Sequence, residues 1–142
     1  MGFTRYYTIN GKIDPERFKS YSKDCKFICD KITEKYVGGI AGWDGTGDPE
    51  FTDDEVVFNG IGDMAHETFS IGVNSKGFNF TKTQLKDYDK YVYACLLLAK
   101  YYFESIQVSR DGDDEDDYPE ITSLVKSILR DNKIIEILDD KL

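Results

Sequence analysis

The residues best suited to acid–base chemistry in this sequence are Asp63, His66 and Glu67, which lie close together in the chain. Histidine titrates near neutral pH and a neighbouring carboxylate can orient its ring, so the three could act as a general acid–base group. The sequence shows neither an adjacent nucleophile nor a set of metal ligands to accompany them. We therefore favour a simpler interpretation, in which His66 ends a turn before a strand or satisfies a buried carbonyl, and we predict no catalytic residue.

Aromatic residues next to polar ones near the ends of predicted strands suggest a binding site for a nucleotide-sized ligand. Rings offer faces for a base, cations pair with phosphate, and carboxylates or amides accept hydrogen bonds from ribose hydroxyls. The predicted ligand-binding residues are Arg5, Tyr7, Asn59, His66, Glu67, Lys82, Thr83, Tyr88 and Arg110. In this set the arginines and Lys82 would pair with phosphate, and Tyr7 and Tyr88 would stack on the base. Aromatic residues at alternating strand positions are more often core residues, and that alternative stays open.

No metal or cofactor is predicted from the sequence. A zinc site needs three or four converging ligands, but the chain has one histidine and three cysteines that fall in helical apolar patterns. Cys25 and Cys29 are four residues apart and could share a metal or a redox role, although packing in a core explains them better. Cys25, Cys29 and Cys95 are therefore predicted to be reduced core residues.

The chain is acidic, and its acids are concentrated in one segment. Its 142 residues include 18 Lys and Arg against 27 Asp and Glu, for a net charge of −9. Seven of the acids fall in 111–120, without the interleaved ligands and distal glutamate of a calcium-binding loop, so we predict a solvated acidic loop. Because an acidic chain repels phosphate backbones, a nucleic acid polymer is not an expected partner.

Neither a membrane span nor a secretion signal is apparent in the sequence. The longest apolar run, 91–103, is shorter than the roughly 20 residues of a membrane helix and contains Lys100. The N-terminus lacks the basic and apolar regions of a signal peptide. We therefore predict a cytoplasmic protein without a membrane partner.

The length supports a single domain, 1–142, which we predict to be α+β. We expect an antiparallel sheet of five or six short strands packed against two main helices, with a third helix near the C-terminus. Runs of β-branched and aromatic residues between turn residues predict strands at 3–9, 55–59, 67–73, 78–82 and 106–108. The three middle strands are closely spaced and suggest an antiparallel meander.

Two main helices are predicted from apolar residues that recur every three or four positions. The first begins at 14–16, where an aspartate can cap open N–H groups before a proline, and ends at the glycines 38–39. The second runs from 88 to about 103, with Asp87 or Asp89 as its cap, and is apolar nearly all round. We therefore expect it to lie centrally or at a subunit interface, and we predict self-association.

The C-terminal region carries the third predicted helix. It begins at Pro119, keeps its apolar spacing through 121–129 and ends at Asn132. The pattern of 132–142 fits either a short strand or a helix, and the sequence does not decide between them.

Several short motifs, in order along residues 1 to about 112, resemble a widespread set of small uncharacterised proteins of tailed phages and bacteria. The motifs are Met1–Tyr7, Phe58–Gly60, His66–Phe69, Phe78 and Phe80 followed by Lys82-Thr83, Tyr88-Asp89, and Ser109 with Asp111-Gly112. In that set the start reads closer to G-[FYW]-T-H-Y-W, a cysteine precedes Lys-Thr, and proline precedes Tyr-Asp. This chain has Arg5, Tyr7, Thr81 and Asp87 at those positions, so the resemblance implies no required ligand at 5 or nucleophile at 81.

The resemblance implies a phage-type accessory protein, and such proteins commonly counter host defence. We expect this one to bind and sequester, without turnover, a nucleotide-class immune signalling molecule such as a cyclic oligonucleotide or an ADP-ribose derivative in the host bacterial cytoplasm. An acidic inhibitor that occludes a host defence protein by mimicking nucleic acid is the main alternative. An enzyme that degrades the signal with His66 and Glu67, and a structural virion or interaction module, are less favoured.

Overall fold

The computed structural model of the protein describes residues 2–112 and 118–141. Its elements, in chain order, are β1 (Thr4–Ile9), α1 (Pro15–Lys35), β2 (Glu50–Phe51), β3 (Glu55–Phe58), β4 (Phe69–Gly72), β5 (Gly77–Lys82), α2 (Asp89–Tyr102), β6 (Ile106–Arg110) and α3 (Pro119–Lys141). These three helices and six strands confirm the predicted α+β class. Residues 113–117 of the predicted acidic loop lie outside the described residues.

The six strands form two antiparallel sheets where a single sheet was expected. One sheet has the order β5–β1–β6 and the other has the order β2–β3–β4. The predicted pairing of β3 with β4 is present, but β5 pairs with β1 and not with β4, so that Thr4 lies opposite Lys82 and Ile9 opposite Gly77. As the central strand of its sheet, β1 has backbone groups on two edges to satisfy, and β5 and β6 provide the two partners.

Helix α1 forms where its sequence predicts. The Asp14 carboxylate accepts a hydrogen bond from the N–H of Glu16 at 3.3 Å, proline occupies the first turn, and the helix ends at Lys35. Of the seven apolar residues whose spacing predicts the inward face, Tyr36 lies just past the end of the helix and is half-buried. The other six are buried, namely Phe18, Tyr21, Cys25, Ile28, Cys29 and Ile32. This face packs against α2, where the Tyr21 hydroxyl donates to the Cys95 carbonyl at 2.9 Å.

The three cysteines are buried and free, which confirms their predicted place in the core. The Sγ atoms of Cys29 on α1 and Cys95 on α2 lie 3.8 Å apart. Burial raises the pKa of both thiols above the ordinary value for cysteine. The two thiols are therefore protonated side chains that pack between the helices at neutral pH.

Helix α2 is the central helix, in contact with α1, α3 and β6. Its apolar side chains are buried or half-buried on every side, and Lys100 is its one exposed residue. Because the other elements cover these faces within one chain, the apolar character of α2 no longer argues for self-association. Self-association stays a prediction without that support.

Helix α3 is longer than predicted, because it continues through Asn132 to Lys141. Asparagine lowers helix propensity only modestly, and the Asn132 amide donates to Asp24 Oδ2 at 2.7 Å instead of ending the helix. The tail that the sequence left undecided is therefore helical as far as Lys141. In the described part of the chain, no helix combines the length and apolar character needed to cross a membrane.

Candidate functional site

A buried group of polar side chains joins the start of α2 to β1. The Asp89 carboxylate accepts two hydrogen bonds from Arg5, one from Nε at 2.8 Å and one from Nη2 at 2.7 Å. It also accepts one from Thr83 Oγ1 at 2.6 Å and one from the Tyr118 hydroxyl at 2.8 Å. We term these four residues the Asp89 network. Asp87 or Asp89 was predicted to cap α2, but the cap position is occupied by Tyr88, and Asp89 is the first residue of the helix. The Asp89 carboxylate instead binds side chains from three other parts of the chain.

Arg5 is held inside this network by charge and by aromatic rings. The Arg5 and Asp89 side chains are 4% and 0% exposed, and the Arg5 guanidinium carbon lies 5.1 Å and 5.0 Å from the ring centres of Phe3 and Tyr93. Arg5 points inward because it shares a face of β1 with the buried core residues of that strand. A phosphate could reach this guanidinium only by displacing Asp89, so the geometry gives Arg5 a structural role.

Tyr7 and Tyr88 are also buried, which argues against their predicted role as stacking rings. The Tyr7 hydroxyl lies 3.1 Å from both the Ser70 carbonyl and Thr81 Oγ1, and the Tyr88 hydroxyl donates to the Glu67 carbonyl at 2.6 Å. Burial raises the pKa of both phenols above the ordinary value for tyrosine. Each ring is therefore covered by protein, and each hydroxyl is satisfied within the fold.

The remaining predicted residues of this region serve mainly to connect strands and turns. The Glu67 carboxylate accepts a hydrogen bond from the backbone N–H of Lys82 at 2.7 Å, which closes the end of β5. Lys82 itself is half-buried. Arg110 Nη1 donates to the Asp111 carbonyl at 2.7 Å, and its guanidinium carbon lies 5.8 Å from the ring centre of Phe3.

Asn59 organises the loop that carries His66. Its Oδ1 accepts the N–H groups of Gly60 and His66 at 2.8 Å and 3.0 Å, and its Nδ2 donates to the carbonyls of Trp43 and His66 at 3.1 Å and 3.0 Å. At Gly60 a Cβ atom would lie 2.1 Å from the carbonyl oxygen of Met64, so the tight loop requires glycine. Asn59 is therefore buried as a structural amide, and it fixes the backbone of His66 from both sides.

The side chains of His66 and Glu67 do not form an acid–base pair. The Glu67 carboxylate is engaged by the N–H of Lys82, and the Nε2 atom of His66 is buried without a hydrogen-bond partner. Within the described residues, no three His, Cys, Asp or Glu side chains are close enough to hold a metal ion. The carbonyls of Trp43 and His66 accept hydrogen bonds from the Asn59 amide.

The structure thus brings Arg5, Thr83 and Tyr88 together at the start of α2, with Glu67 and Lys82 beside them. Asn59 and His66 belong to the adjoining loop, and Arg110 reaches the same region from β6. Most of the predicted ligand-binding residues instead make hydrogen bonds within the protein that stabilise the fold. Four clefts of the described chain are lined by other residues.

One of these clefts lies at the opposite end of β1 and has a volume of about 760 Å³. It is bounded by the loop between β1 and α1 and by the turn between β4 and β5, and we term it the lysine cleft. Lys12 comes from the first segment and Lys76 from the second, each with a neighbouring asparagine, Asn10 and Asn74. Among the residues that the structure describes, no acidic side chain lines it, although acids make up 27 of the 142 residues of the chain. Its size is that of a small-molecule site, and its charge favours an anion.

Exposed aromatic rings cover the outer face of the sheet beside this cleft. Phe78 and Phe80 are 63% and 54% exposed, and the ring of Phe78 stacks on Tyr6 with centres 5.9 Å apart and planes 24° apart. The two phenylalanines share a face of β5, as the alternation of side chains along a strand requires. That face is turned to solvent, and Thr81, on the other face of the strand, is buried.

Two short segments of the sequence carry a signal for the lysine cleft. Residues 10–12 and 74–77 each combine asparagine, glycine and lysine without an acid. Turns of this composition fit a site in which a lysine approaches a ligand without a competing carboxylate. The two turns meet because β1 pairs with β5. The sequence does not show this pairing, so it does not show that the turns are close.

A scan of known family models, a search of curated proteins and a search of solved structures each find no match for this chain. The resemblance to small phage proteins therefore stays a prediction. Any assignment of function has to be argued from the geometry of the molecule.

Proposed function

We propose that the protein binds and sequesters a nucleotide-class small molecule, without chemical turnover, in the lysine cleft. The observation that carries this proposal is a cleft lined by two lysines and by no acid of the described residues, in a chain of net charge −9. Exposed acids elsewhere repel an anionic ligand, whereas Lys12 and Lys76 attract a phosphate group to the cleft. The predicted class of ligand is kept, and its site moves from the start of α2 to the other end of β1.

The exposed rings next to the cleft supply the second requirement of a nucleotide. Ile9 lines the cleft and pairs with Gly77, so the next residue of β5, Phe78, stands beside the opening on the outer face of the sheet. A base stacked on Phe78 would extend the existing stack with Tyr6. A phosphate held by the lysines and a base held by Phe78 would use neither Tyr7 nor Tyr88.

Sequestration fits this geometry better than catalysis. The ligand would be held by long cationic side chains and by a ring face, and the candidate acid–base residues His66 and Glu67 lie at the other end of the β1–β5 pair. We keep the biological setting that the resemblance implies, a phage-type protein that withdraws a nucleotide immune signal such as a cyclic oligonucleotide or an ADP-ribose derivative.

The test is to incubate the purified protein with a panel of cyclic di- and trinucleotides and ADP-ribose derivatives, remove unbound ligand, denature by heat and analyse what is released. Intact ligand supports sequestration, and altered ligand would show an enzyme. Retention of no panel member would refute the proposal and favour the alternative, an inhibitor that binds a defence protein.

Single variants then locate the site. Lys12→Ala and Lys76→Ala should each weaken binding by about ten- to a hundredfold, because a charged hydrogen bond to phosphate contributes about 1.5 to 3 kcal/mol. Lys82→Ala is the matched control, since it removes a lysine at the opposite end of β5. If Lys82→Ala weakens binding and the cleft variants do not, the ligand lies where the sequence first predicted it.

A further inference from the structure

Three loops meet at the end of the molecule opposite the lysine cleft, formed by residues 36–48, 60–66 and 83–87. The N–H of Gly62 donates to the Gly45 carbonyl at 2.9 Å, and Lys86 Nζ donates to the Asp63 carbonyl at 3.0 Å. Asn59 ties the first two loops together through the carbonyls of Trp43 and His66. The three loops therefore form one continuous surface.

This surface exposes an unusual amount of apolar side chain. Among residues 2–112 and 118–132, eight large apolar residues are exposed, and five of them lie on these loops. We term these five the loop surface: Val37, Trp43, Ile61, Met64 and Leu85. Trp43 and Leu85 are 66% and 58% exposed. Apolar residues grouped in this way on a surface, with Trp and Met among them, are typical of protein interfaces.

Leu85 is presented by a backbone conformation that its residue type disfavours. Gln84 and Leu85 have φ angles of 55° and 57°, in the left-handed region where a side chain crowds the backbone. Hydrogen bonds hold this turn, from the Gln84 N–H to the Phe3 carbonyl at 3.1 Å and from the Leu85 N–H to Thr83 Oγ1 at 3.3 Å. Neither the strain nor the exposed leucine stabilises the isolated chain, so both point to a contact outside it.

The charges beside the loop surface indicate what kind of partner it fits. Asp44, Asp48, Asp63 and Asp87 are exposed on the same three loops. The one lysine in these loops, Lys86, is half-buried, and its ammonium group donates to a backbone carbonyl. The surface is thus apolar with an acidic border, and it complements an apolar face bordered by cations.

We propose that the loop surface is a docking site for a protein segment that has an apolar face bordered by lysine or arginine, such as a basic amphipathic helix. Leu85 and Trp43 contact the apolar face, and the aspartates face the cations at its edge. This proposal does not rest on nucleotide binding, because the loop surface and the lysine cleft lie at opposite ends of the β1–β5 pair.

The test uses a labelled synthetic peptide of about five helical turns, with leucine on one face and lysine on the other, and measures its binding by fluorescence anisotropy. A scrambled peptide of the same composition reports attraction by charge alone. We expect saturable binding of the amphipathic peptide, and at least tenfold weaker binding of the scrambled one. Equal binding of the two peptides, or no saturable binding, would overturn the proposal.

Leu85→Asn is the decisive variant, because asparagine adopts the left-handed conformation more readily than leucine. It should leave the unfolding midpoint unchanged or raise it, while weakening binding of the amphipathic peptide at least tenfold. Phe27→Ser, which removes an exposed ring on α1 away from the loops, is the control and should bind as the wild type does. Equal binding by the wild type and Leu85→Asn, or equal losses in the two variants, would exclude the loop surface.

Discussion

Removing the Asp89 carboxylate should destabilise the protein far more than removing a surface charge. In Asp89→Ala the Arg5 guanidinium keeps its charge but loses both partner oxygens, in a position that is 4% exposed. Thr83 and Tyr118 each lose a hydrogen-bond acceptor as well. Removing one partner of a buried ion pair costs about 3 to 5 kcal/mol. At about 3 °C per kcal/mol for a domain of this size, the melting temperature should fall by roughly 10 °C.

The measurement is urea unfolding at neutral pH, followed by far-ultraviolet circular dichroism and extrapolated to water. The control is Asp30→Ala, which breaks the Lys26–Asp30 pair on α1, where both side chains are more than half exposed. That pair should contribute less than about 0.5 kcal/mol. The double variant Arg5→Met/Asp89→Leu removes both charges, so it should be more stable than Asp89→Ala.

Two results would refute this reasoning about the ion pair. A cost below about 1 kcal/mol for Asp89→Ala would mean that the pair behaves like one on the surface. The second result is a loss of stability in the double variant equal to the summed losses of Arg5→Met and Asp89→Leu. Such additivity would mean that Arg5 and Asp89 contribute independently, whereas neighbours in one network should show a large interaction energy.

Three further predictions concern the core and the glycine loops. The cysteine thiols should resist a thiol reagent in the folded protein and react in denaturant, and reaction of any thiol in the folded state would contradict their burial. Burial raises the pKa of Tyr88 and other core tyrosines, so above about pH 10 these phenols ionise more readily in the unfolded chain than in the folded protein. The urea midpoint should therefore fall above about pH 10 and should not depend on these groups at lower pH. A rise of the midpoint above about pH 10 would contradict the assigned burial. Gly60→Ala should cost roughly 1 to 3 kcal/mol, because its Cβ would lie 2.1 Å from the Met64 carbonyl oxygen. Gly11→Ala, whose Cβ would meet only the Ser105 side chain, at 3.2 Å from its hydroxyl oxygen, should cost less, and equal losses would argue against the tight loop at Gly60.

The sequence predicts those parts of the fold that depend on local signals. An aspartate and a proline mark the start of α1, apolar periodicity marks its buried face, and both are found where expected. Asn132 shows the limit of such signals, since one residue of modest helix propensity did not stop α3. Five of the six strands were also predicted from local composition, within a few residues, and the two-residue strand β2 was not predicted.

Which strands pair, and which face of each strand is buried, depend on residues far apart in the chain. The sequence alone does not determine them. Alternation shows that Phe78 and Phe80 share a face, but it does not say which face of β5 is buried. In the structure Thr81 is on the buried face, where its hydroxyl group and that of Tyr7 form a hydrogen bond. Neither hydroxyl is therefore left without a partner inside the protein. The two phenylalanines are consequently left in solvent.

The candidate site shows the same division between local and distant information. The sequence grouped Arg5, Thr83 and Tyr88, and they do converge at the start of α2. It did not identify Asp89 as the acid that organises them, because Arg5 and Asp89 are 84 positions apart in the chain. An aspartate at the start of a helix is ordinarily interpreted as a cap, and only the β1–α2 contact shows its other partner.

The Asp89 network and the strained turn at Gln84 and Leu85 are best understood together. A buried ion pair is weak evidence for stability, because well-packed apolar residues of similar volume often serve as well or better, but it fixes the orientation of the groups that it joins. Here Thr83 Oγ1 donates to Asp89 and accepts the N–H of Leu85. The network therefore holds the residue from which the left-handed turn begins, and its hydrogen bonds offset the strain there. Neither feature is explained by the packing of the core, and together they fit the proposed loop surface, on which Leu85 is presented in one fixed position.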